Sequence, residues 1–126
     1  GLSEWFTWRY SIFSGAACQV DRPLAEGDTV DALGGMRVIH APGHTPGSMA
    51  LYAPERQILF CGDVLFNAHP LTGSPGLRFP LPAVTVDDAQ ARESACKLSA
   101  LDIQVLCCGH GEPILAGAVE QIAALC

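Results

Sequence analysis

Three short stretches place metal-competent side chains among small residues, each directly after a run of β-forming hydrophobics. They are Pro42-Gly43-His44-Thr45-Pro46-Gly47-Ser48, Cys61-Gly62-Asp63-Val64 and Cys108-Gly109-His110-Gly111-Glu112. A histidine, an aspartate and a second histidine delivered from strand ends form a set that divalent zinc accepts readily. The chemistry such a set serves is hydrolysis by a metal-activated water. An absence is equally informative, because the sequence offers no other cluster that could complete a two-metal site.

His44 lies between Gly43 and the Thr45-Pro46-Gly47 turn. Glycine removes bulk and permits unusual dihedrals, so the imidazole can be aimed beyond the sheet edge. Thr45 and Ser48 offer contacts that would orient a metal-bound imidazole. Taken alone, His44 could equally be a turn histidine capping its own loop. Asp63 stands between two apolar runs, where a carboxylate is costly to bury unless it is paired or metal-bound. Its two oxygens could bridge two cations, whereas an N-cap or a buried ion pair is the plainer role; no basic residue adjoins it in sequence. His110, between Gly109 and Gly111 at the expected entrance to the last helix, could ligate metal or cap that helix. Each motif is a modest signal alone, and their order and company carry the assignment.

Other candidates rank lower. His40 shares a strand face with Met36 and Val38, which reads as a packed strand-end histidine, and His69 before Pro70 reads as a surface loop residue. Cys107 or Cys108 beside His110 raises the idea of a cysteine nucleophile, but a thiol at a buried strand end is usually inert. Cys61 is either an extra soft ligand or, more plainly, a small buried filler. The six cysteines (18, 61, 96, 107, 108 and 126) show no C-x-x-C spacing, and adjacent cysteines make an awkward disulfide. Reduced thiols in a cytoplasmic protein are expected.

The elements that must position these residues follow from the pattern. Strands are expected over 29–33, Met36–His40, 48–53 and 57–61, joined by a Gly34-Gly35 hairpin turn and by Pro54-Glu55-Arg56, which gives a four-stranded meander. Residues 67–84, with Pro70, Pro75, Pro80 and Pro82 plus Gly73 and Gly76, read as a long surface loop bordering a site. Thr85-Val86-Asp87-Asp88 resembles a capping-box start, followed by Ala91, Ala95, Leu98 and Leu101 at helical spacing. A short buried strand over 103–106 comes next. Pro113 fits the first position of a final helix whose apolar face is Leu115, Ala118, Val119, Ile122 and Leu125. The outcome is an α+β arrangement, a β-meander followed by helix, strand and helix, with the helices on one face of the sheet.

Composition bounds the partners. The 126 residues are 49% hydrophobic and 16% charged, enough for one domain with a real core and more apolar surface than charge can cover. Net charge is −6 and no basic stripe occurs, which argues against nucleic acid and anionic membrane. The longest apolar runs are too short to span a bilayer, and no signal-peptide pattern is found. Trp5, Phe6, Trp8, Tyr10 and Phe13 crowd the opening, which reads as a segment packed on a core or partner rather than a substrate lid. The start at Gly1 fits a processed, tagged or excised product.

From Asp21 to Cys126 the chain resembles the metallo-β-lactamase-like hydrolase superfamily. The likeness rests on Val38-Ile39-His40-Ala41-Pro42-Gly43-His44-Thr45-Pro46-Gly47-Ser48, on Ile58-Leu59-Phe60-Cys61-Gly62-Asp63-Val64-Leu65-Phe66, and on Cys108-Gly109-His110-Gly111-Glu112-Pro113. It implies an αββα sandwich with metals at one edge, of which this chain is the C-terminal half, a single partial domain over 1–126. It further implies His44 as a ligand of the first metal, Asp63 as the bridge and His110 as a ligand of the second, with zinc or another divalent cation. A small-molecule ester, thioester, lactone, amide or phosphodiester would be the substrate of the complete enzyme. Members carry an earlier His-x-His-x-Asp-His motif, but the first histidine here is His40. The expectation is therefore an incomplete hydrolase, poorly active and weakly metallated or metal-free alone. The alternative is a non-catalytic half-domain acting as a dimerising or weak metal-binding module. A homodimer or a missing N-terminal half is the expected partner. The only lysine, Lys97, is remote in sequence from Asp63, unlike the carboxylate-binding arrangement of true β-lactamases, and the extra helical domain of glyoxalase II-like members is not expected.

Overall fold

The computed structural model describes residues 16–126, so the aromatic opening from Trp5 to Phe13 lies outside the described residues. Strands β1 (Thr29–Val30), β2 (Met36–His40), β3 (Met49–Ala53) and β4 (Ile58–Gly62) pair antiparallel in chain order. Next, β5 (Phe66–Ala68) and β6 (Pro75–Arg78) form a separate two-stranded hairpin. A 3-10 turn at Pro82–Val84, helix α1 (Asp88–Lys97) and a second 3-10 turn at Leu98–Ala100 carry the chain across. Strand β7 (Val105–Cys108) then pairs with β4 in parallel, giving the order β1-β2-β3-β4-β7, and helix α2 (Ala118–Leu125) follows. A parallel pair requires such a crossover, and α1 supplies it.

Alternation decides which face is covered. Ile39, Ala50, Tyr52, Leu59, Cys61 and Leu106 pack with Ala95, Leu98, Ala118 and Ile122 into one core. Tyr52, the one member with a polar tip among the sheet residues, donates its hydroxyl to the Asp102 carbonyl at 2.7 Å, so its burial leaves no orphan. On the other face Val38, Leu51, Phe60 and Cys107 stand in register straight across four strands. Val38 is buried, whereas Phe60 is 37% exposed and Leu51 and Cys107 are half-buried.

Several expectations need correction. The first strand stops at Val30, because Leu33, Gly34 and Gly35 all take positive φ, so the connection is a longer loop than a two-residue hairpin. Residues 67–84 are not one loop: β5 and β6 pair across it, with Gly73 at φ +72 in the turn and Pro75 at a strand start, where its missing N–H costs least. The last strand runs later than expected, Val105–Cys108. Helix α1 is capped by Asp87, whose carboxylate accepts from the Gln90 N–H at 2.9 Å, rather than by Thr85. Helix α2 begins at Ala118, not Pro113, because Leu106 and Ile114 exchange hydrogen bonds as a β-bridge and Gly117 turns the chain at φ +69. Leu115 consequently points outward, 70% exposed. His40 is exposed rather than packed, its Nε2 lying 3.0 Å from the Pro46 carbonyl. His69 is half-buried and its Nδ1 accepts from the Leu71 and Thr72 N–H groups, which makes it a turn cap.

The expectation of six reduced thiols also fails. Cys96, in the last turn of α1, is bonded to Cys126 at the end of α2, with Cα atoms 5.9 Å apart. The partners are 30 residues apart in sequence and meet only because both helices end over the same part of the sheet. Cys18, Cys61, Cys107 and Cys108 remain free.

Candidate metal centre

The three motifs end at one place because β4 and β7 are parallel neighbours whose C-terminal ends carry Asp63 and His110 side by side. Their junction is fixed by the Gly109 N–H donating to the Gly62 carbonyl at 2.8 Å. A side chain at Gly109 would overlap the Asp63 carboxylate, so glycine there makes room for it. The His110 carbonyl accepts from the Asn67 N–H at 2.8 Å, and the Asn67 side-chain amide donates to the Glu112 carbonyl at 2.7 Å, which ties the second histidine loop to β5.

His44 arrives from the opposite side. Its loop is clamped onto the start of α1: the Gly43 carbonyl accepts from the Asp87 N–H at 2.9 Å, and the His44 carbonyl from the Val86 N–H at 3.1 Å. The Pro42 carbonyl accepts from the buried Ser94 hydroxyl at 2.7 Å. Gly43 sits at φ +137, and a Cβ on it would overlap the Ala91 backbone. Thr45 and Ser48, expected to orient the imidazole, instead bond each other across their turn.

His44 Nε2 lies 3.5 Å from Asp63 Oδ2, and His110 Nε2 lies 3.6 Å from Asp63 Oδ1. The carboxylate stands between the imidazoles with one oxygen toward each. Among the described residues no three His, Cys, Asp or Glu side chains gather about a single point, so the set is two pairs rather than one triad. Phe66, fully buried, presents ring edges to both imidazoles, with centroids 4.5 Å from His110 and 6.2 Å from His44. Its ring walls the pairs from the core and leaves their other side open: His110 and Asp63 are about two-fifths exposed, His44 far less.

Thr85 Oγ1 donates to the Leu81 carbonyl at 2.9 Å and lies 3.4 Å from His44 Nδ1. With its proton committed to Leu81, the hydroxyl can only accept from the imidazole. Nδ1–H is thus directed at Thr85, and in the neutral imidazole Nε2 is then a lone pair facing Asp63. Two acceptors across 3.5 Å are bridged by a positive charge, either a proton on Nε2 or a metal ion. The separation is long for a hydrogen bond, and it is the spacing of two tetrahedral ligands at ~2.1 Å from one ion, roughly 3.4 Å. The spacing at both histidines, with the donor chemistry at His44, fits a divalent cation at each oxygen of Asp63.

Sequence reasoning missed Thr85, Phe66 and Asn67. None carries a local signal, since Thr85 reads as a helix cap and Phe66 as one more apolar residue. Cys61, weighed as a soft ligand, turns away into the core. Its Sγ lies 3.7 Å from Cys108 Sγ, and that contact together with burial pushes its thiol pKa well up. The same hydrogen bond draws the Cys108 thiol down, while burial raises Cys107.

Comparison with known proteins gives a consistent placement. The metallo-beta-lactamase superfamily pattern matches residues 19–110. A hydroxyacylglutathione hydrolase of Rhodospirillum rubrum is 41% identical over 97 residues, covering 72% of this chain and 32% of that protein. The probable metallo-hydrolase YflN of Bacillus subtilis is 33% identical over 97 residues, covering 72% of this chain and 37% of its own length. The solved structure of TTHA1623 in a di-iron-bound form superposes with a TM-score of 0.62 at 33% identity, covering 86% of this chain and 48% of that one. The chain spans about a third of the length of these curated relatives. Over that span, with its mixed sheet and helix layer, the chain belongs to the metallo-beta-lactamase superfamily.

Proposed function

We propose that this chain supplies the His44–Asp63–His110 portion of a metal-dependent hydrolytic centre. The observation that carries the reading is one carboxylate standing between two imidazoles, with an oxygen 3.5 Å from His44 Nε2 and the other 3.6 Å from His110 Nε2. His44 and Asp63 Oδ2 would hold one cation, and His110 and Asp63 Oδ1 the other. A bound divalent cation there would supply an activated water and polarise the bond under attack. Thr85 keeps the His44 lone pair pointed at the site, Asn67 holds the His110 loop, and Phe66 keeps water from reaching the imidazoles through the core. The name of the Rhodospirillum rubrum relative favours an acyl group carried on a thiol as the substrate class.

Each cation would have two protein ligands from this chain, half of a tetrahedral shell. Zinc should therefore bind weakly to the 126-residue chain and leave on dialysis, with little turnover of thioester or phosphodiester substrates. Zinc content by atomic emission before and after dialysis, for wild type and Asp63→Asn, is the test. Asp63→Asn should abolish the pre-dialysis binding; an unchanged content would remove Asp63 from the site. Two tightly held equivalents with robust turnover would mean that the remaining ligands come from this chain after all.

The second reading, a dimerising half-domain, is favoured by one observation: Phe60, with Leu51 and Cys107 beside it, leaves apolar area on the sheet face away from the helices. Burial contributes about 25 cal/mol per Å², so even a few hundred Å² would drive association. A second copy, or the N-terminal half of a complete domain, would cover it. Light scattering over a dilution series distinguishes a dimer from a monomer. Phe60→Glu should dissociate the dimer without lowering zinc binding.

A further inference from the structure

The parallel pairing of β4 and β7 does more than bring Asp63 beside His110. Its register shifts between Phe60 and Gly62: Phe60 faces Cys107, Gly62 faces Cys108, and Cys61 is the unpaired residue between. That bulge leaves the Cys61 thiol 3.7 Å from the Cys108 thiol. Each cysteine stands two residues ahead of a site residue, Cys61 before Asp63 and Cys108 before His110. Cys61 is fully buried and Cys108 is half-buried, while Cys107 alternates to the other side of the strand.

We infer that Cys61 and Cys108 close into a reversible intramolecular disulfide, by exchange with a low-molecular-weight disulfide, which tethers the strand end bearing Asp63 to the one bearing His110. The Cys108 thiol gives up its proton and attacks one sulfur of the small disulfide, expelling a first small thiol and leaving a mixed disulfide. Cys61 Sγ, already in contact, then attacks Cys108 Sγ, forms the internal S–S bond and expels the second small thiol with the remaining proton. Two protein thiols are oxidised and one small disulfide is reduced to two thiols. Closing the sulfurs from 3.7 Å to about 2.05 Å would fix the two strand ends to each other and set the side-chain torsions of both cysteines. The 3.6 Å spacing of Asp63 and His110 lies directly downstream of that link.

The cross-link itself requires no metal, whereas its effect on the site rests on the proposed centre. After incubation of the full chain with oxidised glutathione, Cys61 and Cys108 should both lose their free thiols without a glutathione on either, whereas exposed Cys18 takes a glutathione of its own. Peptide mass mapping should then find Cys61 joined to Cys108. Cys61→Ser should stop at a glutathione adduct on Cys108, and Cys108→Ser should leave Cys61 unmodified. Glutathione adducts without an internal bond in the wild type, or a bond between Cys107 and Cys108, would overturn the inference, and neither measurement depends on a variant folding. The oxidised chain should bind zinc several-fold more weakly than the reduced one at equilibrium, and this difference should vanish in Asp63→Asn. Equal zinc affinity in both forms would remove the link's role at the site. Absence of zinc from both would instead count against the metal-centre reading, with the cross-link still decided by the peptide map.

Discussion

On the helix side of the sheet, side chains do the holding. Leu59, Leu106 and Ile122 are fully buried there and Cys96 is bonded to Cys126. At the strand ends that carry His44, Asp63 and His110, the backbone does it. Gly43 and Gly111 take conformations closed to most residues, and the loops are tied by carbonyl and N–H pairs to α1 and β5. Burial is tolerant of position and rewards area, whereas the site depends on three loops arriving within a fraction of an ångström. The two regions should therefore fail differently: loss on the helix side reads as stability, loss at the strand ends as metal binding.

The largest expected effect lies on the helix side. Removing the disulfide with Cys96→Ser frees a loop of 30 residues in the unfolded chain, which costs about 3–4 kcal/mol of stability in the chain-entropy account. The urea midpoint should fall accordingly, while zinc binding by the fraction still folded stays as it was. A parallel loss of zinc affinity would show that the helix layer sets the site's geometry, and the comparison would collapse.

Gly43→Ala is the counterpart at the other region. The new methyl would meet the Ala91 backbone at a φ of +137, so the His44 loop must leave α1 or α1 must move. Backbone strain and overpacking together come to about 2–6 kcal/mol, a range that brackets the disulfide's. Zinc affinity should nevertheless drop beyond detection, because His44 is aimed by that contact. Retained zinc binding would move His44 out of the site.

Thr85→Val tests the finer aim. Loss of the hydroxyl releases the His44 ring but removes only one part-buried hydrogen bond to Leu81. Zinc affinity should fall about tenfold, in line with the loss of an orienting partner. Thermal stability should fall by under about 1.5 kcal/mol. Thr85→Ser, which keeps the hydroxyl, should restore the affinity, and failure to do so would reduce Thr85 to a packing residue.

Sequence reading reached the meander, the crossover helix and the family through patterns that are local. Strand alternation, glycine-flanked His44, Asp63 and His110, and the spacing of Ala91, Ala95 and Leu98 all lie within short windows. What it missed is set by pairing across the chain. The β5–β6 hairpin hides in a proline-rich stretch because Pro75 stands at a strand start that demands no donor from it. Cys96 and Cys126 meet only after two helices have packed on the same sheet. Thr85 was readable as a cap from its neighbours, yet its hydroxyl is taken by Leu81 and turned toward a histidine 41 positions earlier. Nothing in a window around Thr85 could disclose that contact.

The smallest expected effect decides between pattern and pairing directly. A helix beginning at Pro113 would put Leu115 on its apolar face with Ala118 and Ile122, and truncating a buried leucine there costs about 2–5 kcal/mol. In the structure Leu106 and Ile114 bond as a β-bridge instead, because an extended segment can add to the β7 edge and satisfy its backbone groups. Helix formation is thereby delayed to Gly117, where a left-handed residue makes the turn, and Leu115 is left 70% exposed. Leu115→Ser should then change stability by no more than about 0.5 kcal/mol, the ordinary range for a surface substitution. Ile114→Ser, one residue earlier and buried, should cost several times that. Reversal of the two values by urea denaturation would restore the longer helix and remove the bridge that anchors β7, and with it the register that sets Asp63 beside His110.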